Sequence, residues 1–173
     1  PNVIYVGTNR GMYKTADGGK SWQTINAGME FITVFGIALE PKRSGVISAG
    51  TNKGVYRSTD EGKTWAYVEH GIERRRVHVF IRDPRNSELL YAGTQVGVFK
   101  STDGGEHWIA ARRGIEGYTV ECLAFDAQGV LYAGTDRGLF KSPDGDSWQL
   151  VGSGLETALV TAVALNPKSG LIH

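Results

Sequence analysis

One octet recurs along this 173-residue chain and limits what it can become. It reads Thr15-Ala16-Asp17-Gly18-Gly19-Lys20-Ser21-Trp22, then Ser58-Thr59-Asp60-Glu61-Gly62-Lys63-Thr64-Trp65, then Ser101-Thr102-Asp103-Gly104-Gly105-Glu106-His107-Trp108. A fourth version, Ser142-Pro143-Asp144-Gly145-Asp146-Ser147-Trp148, is one residue shorter inside the turn. The hydroxyl and the Asp bond to nearby backbone and close a tight turn without a ladder. The Gly admits a backbone conformation that a Cβ penalises. The Trp drives a large apolar ring into whatever core lies beneath the turn.

The spacing sets the architecture. The four tryptophans stand 43, 43 and 40 residues apart. Thr8, Thr51, Thr94 and Thr135, each preceded by Gly, stand 43, 43 and 41 apart. The missing residues fall in two turns, between Ala127 and Val130 and inside the fourth octet, where a strand-based repeat tolerates loss. Within one period four strands are predicted, over Val34–Leu39, Val46–Thr51, Val55–Ser58 and Trp65–Val68. The third alternates apolar and polar residues, and helical periodicity is absent. Four short antiparallel strands per period predict an all-β chain, a β-propeller of four-stranded blades, over a solenoid or sandwich.

The chain divides into repeats at about 1–32, 33–75, 76–118 and 119–158 of a single propeller segment, 1–173. Residues 159–173 start a further repeat or close the first blade. The chain opens in a second strand, Val3–Val6, and ends in a first strand, Val160–Leu165, while Ser169–His173 aligns with Pro1–Tyr5. We therefore expect further blades of a longer chain, or a homodimer completing a ring; a self-closed four-bladed ring is the less favoured arrangement. Open ends expose strand edges and apolar blade faces, which favours self-association.

Composition narrows the function classes. With 19 Lys and Arg against 18 Asp and Glu, no global attraction to nucleic acid or an anionic membrane is implied, and neither partner is expected. No run is apolar enough to span a bilayer. The one cysteine, Cys122, lies in a strand-like run and reads as a small buried side chain. No His/Cys/Glu grouping has metal-ligand spacing and no phosphate-cradling Gly-rich loop precedes a helix, so no metal or cofactor is expected.

The octet at Ser58–Trp65, with the flanking run from Ala92 to Ser101, resembles the Asp-box or bacterial neuraminidase repeat. This repeat occurs in sialidases, sortilin-type receptors, photosystem assembly factors and xyloglucan-degrading hydrolases. The resemblance implies that Asp17, Trp22, Asp60, Trp65, Asp103, Trp108, Asp144 and Trp148 are structural. It places the box between third and fourth strands, away from any active centre, and it implies an extracytoplasmic or secreted location.

Function is sought where the repeats disagree. The interblade triplets read Phe31-Ile32-Thr33, Arg74-Arg75-Arg76, Gly117-Tyr118-Thr119 and Thr157-Ala158-Leu159. Two positions further on stand Phe35, His78, Glu121 and Thr161, and the turns between second and third strands contribute Arg10, Lys53, Val96 and Arg137, with Asp136 beside the last. Arg74, Arg75, Arg76 and His78 could capture a carboxylate, phosphate or sulfate through guanidinium forks. The plainer reading is solvated loop charge paired with the recurrent Glu30, Glu73, Glu116 and Glu156. Tyr118, Glu121, Arg10, Lys53 and Arg137 complete the candidate ligand-binding set.

No catalytic residue is assigned. A sialidase needs converging arginines, a nucleophilic tyrosine and an aspartate acid/base; Phe80-Ile81-Arg82-Asp83-Pro84 only superficially resembles the motif that accompanies them. Other glycosidases need two facing carboxyl groups, and Glu121 and Asp136 are the non-repeated acids on the candidate face. The sequence reads as a non-catalytic binding or assembly scaffold for an anionic glycan or acidic protein. The alternative is a fragment of a sialidase-like or xyloglucanase-like hydrolase with catalytic residues partly outside this chain.

Overall fold

Each octet closes the turn between the last two strands of a small antiparallel sheet. The computed structural model describes residues 2–166. The first sheet holds β1 (Ile4–Thr8), β2 (Gly11–Thr15) and β3 (Gln23–Thr24); the second holds β4 (Val34–Leu39), β5 (Ile47–Thr51), β6 (Gly54–Ser58) and β7 (Ala66–Tyr67). The third runs β8 (Val77–Asp83), β9 (Asn86–Thr94), β10 (Gly97–Ser101) and β11 (Ile109–Ala110). The fourth runs β12 (Val120–Phe125), β13 (Leu131–Thr135), β14 (Gly138–Ser142) and β15 (Gln149–Leu150). All pairings within the sheets are antiparallel between sequence neighbours, as in propeller blades.

The boxes work as the residues dictate. In the second, Asp60 takes the Ser58 hydroxyl on Oδ1 at 2.8 Å and the Thr64 hydroxyl on Oδ2 at 2.6 Å, and Gly62 donates its amide to Ser58 Oγ at 2.8 Å. The shortened fourth box still closes. Asp144 Oδ1 accepts the Ser142 hydroxyl and the amides of Asp146 and Ser147.

The core is divided into clusters at the sheet boundaries. Val55, Ile72, Val77, Leu90 and Trp108 pack between the second and third sheets, and Val98, Ile115, Val120, Leu131 and Trp148 between the third and fourth. The fit is close: a Cβ on Gly93 would meet Val120 Cγ1 at 2.7 Å. Gly7, Gly50 and Gly134 meet Val34, Val77 and Val160 in the same way. The amides of Trp65, Trp108 and Trp148 donate to Ala27, His70 and Arg113 of the preceding repeat. Ion pairs repeat the pattern, with Lys14–Glu61, Arg57–Glu106 and Lys100–Asp146 each joining a third strand to the next box.

Two expectations are corrected. Trp65, Trp108 and Trp148 are buried but Trp22 is 43% exposed; among the described residues no earlier sheet packs on its ring as the preceding sheets pack on the other three. The first strand expected over Val160–Leu165 forms no named strand, and the first sheet keeps three strands. Val160 instead docks on the fourth sheet, donating its amide to Thr135 O at 2.8 Å. The alignment of Ser169–His173 with Pro1–Tyr5 lies outside the described residues.

Candidate functional site

The first strands β4, β8 and β12 lie side by side, and each carries a bulge near its start. The ladder skips Phe35 between Val34 and Gly36, His78 between Val77 and Val79, and Glu121 between Val120 and Cys122. A bulge leaves one residue unpaired and re-aims its side chain. Three of the positions at which the repeats differ are thus freed from the ladder.

Their side chains meet across the blade boundaries. His78 Nδ1 lies 2.9 Å from Glu121 Oε2, and the His78 ring stacks on Phe35 with centroids 6.0 Å apart. The Arg76 guanidinium lies 4.4 Å from the centre of the same Phe35 ring, a cation–π contact. Three sheets contribute to this row of Arg76, Phe35, His78 and Glu121. The other ring nitrogen of His78, Nε2, is buried without a hydrogen-bond partner.

The arginine triplet does not form a single cluster. Arg76 joins the row, whereas Arg74 lines a hollow of about 300 Å³ with Asn52, Lys53, Tyr56 and Tyr67. The backbone causes the split, since Arg74 has φ of 49°. Phe31, its counterpart one repeat earlier, has φ of 55°, and Gly117, its counterpart one repeat later, has φ of 78°. The loop requires a left-handed residue, which glycine adopts freely and Phe or Arg only under strain. Phe31 is 94% exposed. Such strain at an exposed loop is a functional signal when the neighbouring repeat shows the relaxed solution.

The repeated glutamates form no ion pair with these cations among the described residues. Glu73, Glu116 and Glu156 accept the amides of Gly71, Gly114 and Gly154, two residues back. These bonds hold the carboxyls below the usual range, with the glycine and own-residue amides as the main causes; the Arg75 charge contributes to lowering the Glu73 carboxyl. Among the described residues, Lys53, Arg74, Arg75 and Arg10 form no ion pair with a carboxylate.

The remaining candidates separate. Tyr118 and Arg137 meet, the guanidinium 5.7 Å from the ring centre, in a hollow of about 420 Å³ with Asp136, Phe140, Leu150 and Glu156. Asp136 Oδ1 accepts the Thr119 amide while Glu121 faces His78, so the two acids are engaged by different partners. Arg10 is exposed, and its carbonyl accepts the Asn26 amide. Cys122 is half-buried, and burial pushes its thiol up.

Elsewhere, Asp103, Glu106 and His107 bring ligand atoms within 4.8 Å of one another. Those donors are already engaged: Asp103 accepts Ser101 Oγ and His107, and Glu106 takes Arg43 and Arg57. Sequence reasoning missed Tyr56, which recurs as Tyr13, Phe99 and Phe140 and read as core, and Tyr67, which stands where the other repeats have Thr24, Ala110 and Leu150. The lone glycine at 117, aligned with Phe31 and Arg74, was the available sign of the left-handed loop.

Residues 56–67 match the BNR/Asp-box repeat. Boxes of the same pattern lie on four successive sheets, and the all-β fold is that of β-propeller blades. The chain is similar to an ancestral GH74 enzyme, at 26% identity and TM-score 0.75 over 88% of this chain and 23% of that one. It is also similar to the extracellular domain of the BT4673 system of B. thetaiotaomicron, at 16% identity and TM-score 0.74 over 99% and 24%. YCF48 bound to D1 peptide matches at 18% identity and TM-score 0.59 over 86% of this chain and 50% of the other. The chain thus spans about a quarter of the first two structures. No curated protein sequence matches it.

Proposed function

We propose that this segment is a non-catalytic binding scaffold whose partner is anionic. The observation that carries this reading is the pair of cations Lys53 and Arg74, on an adjacent turn and an interblade loop, which form no ion pair with a carboxylate among the described residues. A cation left in water by its own fold is free to form charge-assisted hydrogen bonds with a ligand. The solved YCF48 complex with D1 peptide supports the use of such a scaffold for binding. The GH74 likeness favours a second reading, a piece of a glycoside hydrolase. Against it, Glu121 and Asp136 are engaged by separate partners, which does not supply the paired carboxyls that hydrolysis needs.

Binding of the chain to mixed arrays of glycans and peptides tests the proposal. Replacing Arg74, Arg75 and Arg76 together by Ala should remove the bound anionic species, and an unchanged profile would overturn the reading. We also propose that β1 is covered by the first strand of another blade, from a longer chain or a second copy. Val3, Ile4 and Val6 expose apolar surface along and beside that strand.

A further inference from the structure

We infer that the hollow beside Tyr56 and Tyr67 is a subsite for a carboxylated sugar ring, a hexuronate residue within a glycan. This rests on the binding-scaffold reading and gives it a ligand and a place. The hollow, about 300 Å³, is at the lower end of the size range for small-ligand pockets. Tyr56 and Tyr67 meet at 66° with centroids 5.4 Å apart, forming an apolar corner. Tyr67 seats over Gly54, where a Cβ would lie 2.8 Å from its ring.

The polar groups of the lining offer donors. Tyr67 Oη accepts the Arg74 amide, which leaves its own proton to give away. Asn52 Oδ1 accepts the Thr33 amide at 3.1 Å, which leaves the Asn52 NH₂ to donate. Lys53 and the Arg74 guanidinium only donate, and burial pushes the Tyr56 phenol up, so it too stays protonated. A lining of this kind suits a ligand rich in acceptors: a carboxylate beside hydroxyl oxygens that can rotate to accept. A peptide would bring fixed N–H groups that this lining does not satisfy, which costs affinity.

The other sheets do not repeat the arrangement. In the first, Asn26 occupies the space over Gly11, and in the third Arg112 lies over Gly97 and against Phe99. In the fourth, Asp136 and Glu156 accompany Arg137, and two carboxylates repel an anion.

Calorimetric titration with a galacturonate trisaccharide, its neutral galactose counterpart and an oligoglutamate peptide tests the assignment. The acidic sugar should bind and the neutral one should bind at least about tenfold more weakly, as loss of a charged hydrogen bond implies. Lys53→Gln and Arg74→Gly should each weaken the acidic sugar by about tenfold. The glycine keeps the left-handed loop, as Gly117 does, so its effect reports the guanidinium. Lys63→Ala, in the second box, should leave binding unchanged. No heat with galacturonate would overturn the subsite while the array result still decides the scaffold reading. Tighter binding of oligoglutamate, lost in the same variants, would overturn the sugar assignment. Sugar binding indifferent to Lys53→Gln and Arg74→Gly would overturn the location.

Discussion

His78 and Glu121, on different sheets, approach to 2.9 Å because each sits on the bulge of its own strand. The pair bridges the third and fourth sheets from positions that the two ladders skip. His78 is the more enclosed partner, its side chain 14% exposed against 30% for Glu121. Glu121→Ala leaves both ring nitrogens without partners and should cost about 1–3 kcal/mol, the usual penalty for an orphaned buried polar group. His78→Ala removes the more enclosed ring and its contact with Phe35, and should cost at least as much. Urea unfolding of both singles and the double gives the coupling; additive losses would mean that the contact contributes nothing.

Burial differs among four equivalent tryptophans, and so should their value. Trp108 is 2% exposed and Trp22 is 43% exposed. Trp108→Ala should therefore cost about 3–5 kcal/mol, in the range for truncating a buried aromatic. Trp22→Ala should cost well under half of that. Thermal unfolding by circular dichroism separates them, and equal losses would show that the first ring is covered in solution.

The box aspartates make stability acid-sensitive. The side chain and amide of Thr64, then Ser58, hold Asp60 at about 2. At Asp103 burial raises the value, but Ser101 and His107 outweigh it and bring it to about 2. Both folded values lie below the unfolded one of about 3.9, so the contribution is complete above that value and is lost as pH falls. The urea midpoint should drop between about pH 4 and about pH 2. Asp60→Asn should flatten part of the drop, and a midpoint constant over that window would contradict the assignment.

Relieving a strained loop should stabilise the chain. A left-handed non-glycine residue costs about 1–2 kcal/mol, and glycine returns about 0.5–1 of that as lost unfolded-state freedom. Phe31→Gly should gain about 0.5 kcal/mol or slightly more by this difference. A lower melting temperature would show that the exposed ring has a folding role.

With no strand beyond β1 in its sheet among the described residues, the 173-residue chain should self-associate. Sedimentation velocity across a dilution series should show a dimer or larger species, and Ile4→Lys should shift it toward monomer. A monomer at every concentration would remove the proposed second-copy contact.

The blades were legible because the box is local: a hydroxyl, an Asp and a Gly close their own turn whatever surrounds them. The bulged row could be located by aligning repeats, since Phe35, His78 and Glu121 share one position in the frame. Their meeting could not be read, because it depends on where neighbouring sheets place three side chains. Arg74–Arg76 read as one patch, yet a left-handed residue at 74 sends Arg74 and Arg76 to different neighbours. Tyr56 looked like core because an aromatic ring recurs there, and Tyr67 was passed over although the other repeats have Thr24, Ala110 and Leu150 at its position. What makes them walls is the Gly54 floor and the surroundings of the second sheet.

The amides of Trp65, Trp108 and Trp148 donate backwards, each to the repeat before it, and this gives the array a direction. A blade's last turn is anchored by its predecessor, so melting of the first sheet would undock Trp65, then Trp108, then Trp148. Unfolding should run as a wave from the amino end, with nearest-neighbour energetics. Indole emission would redden in that order, and hydrogen exchange should be fastest where Trp22 already lacks its anchor.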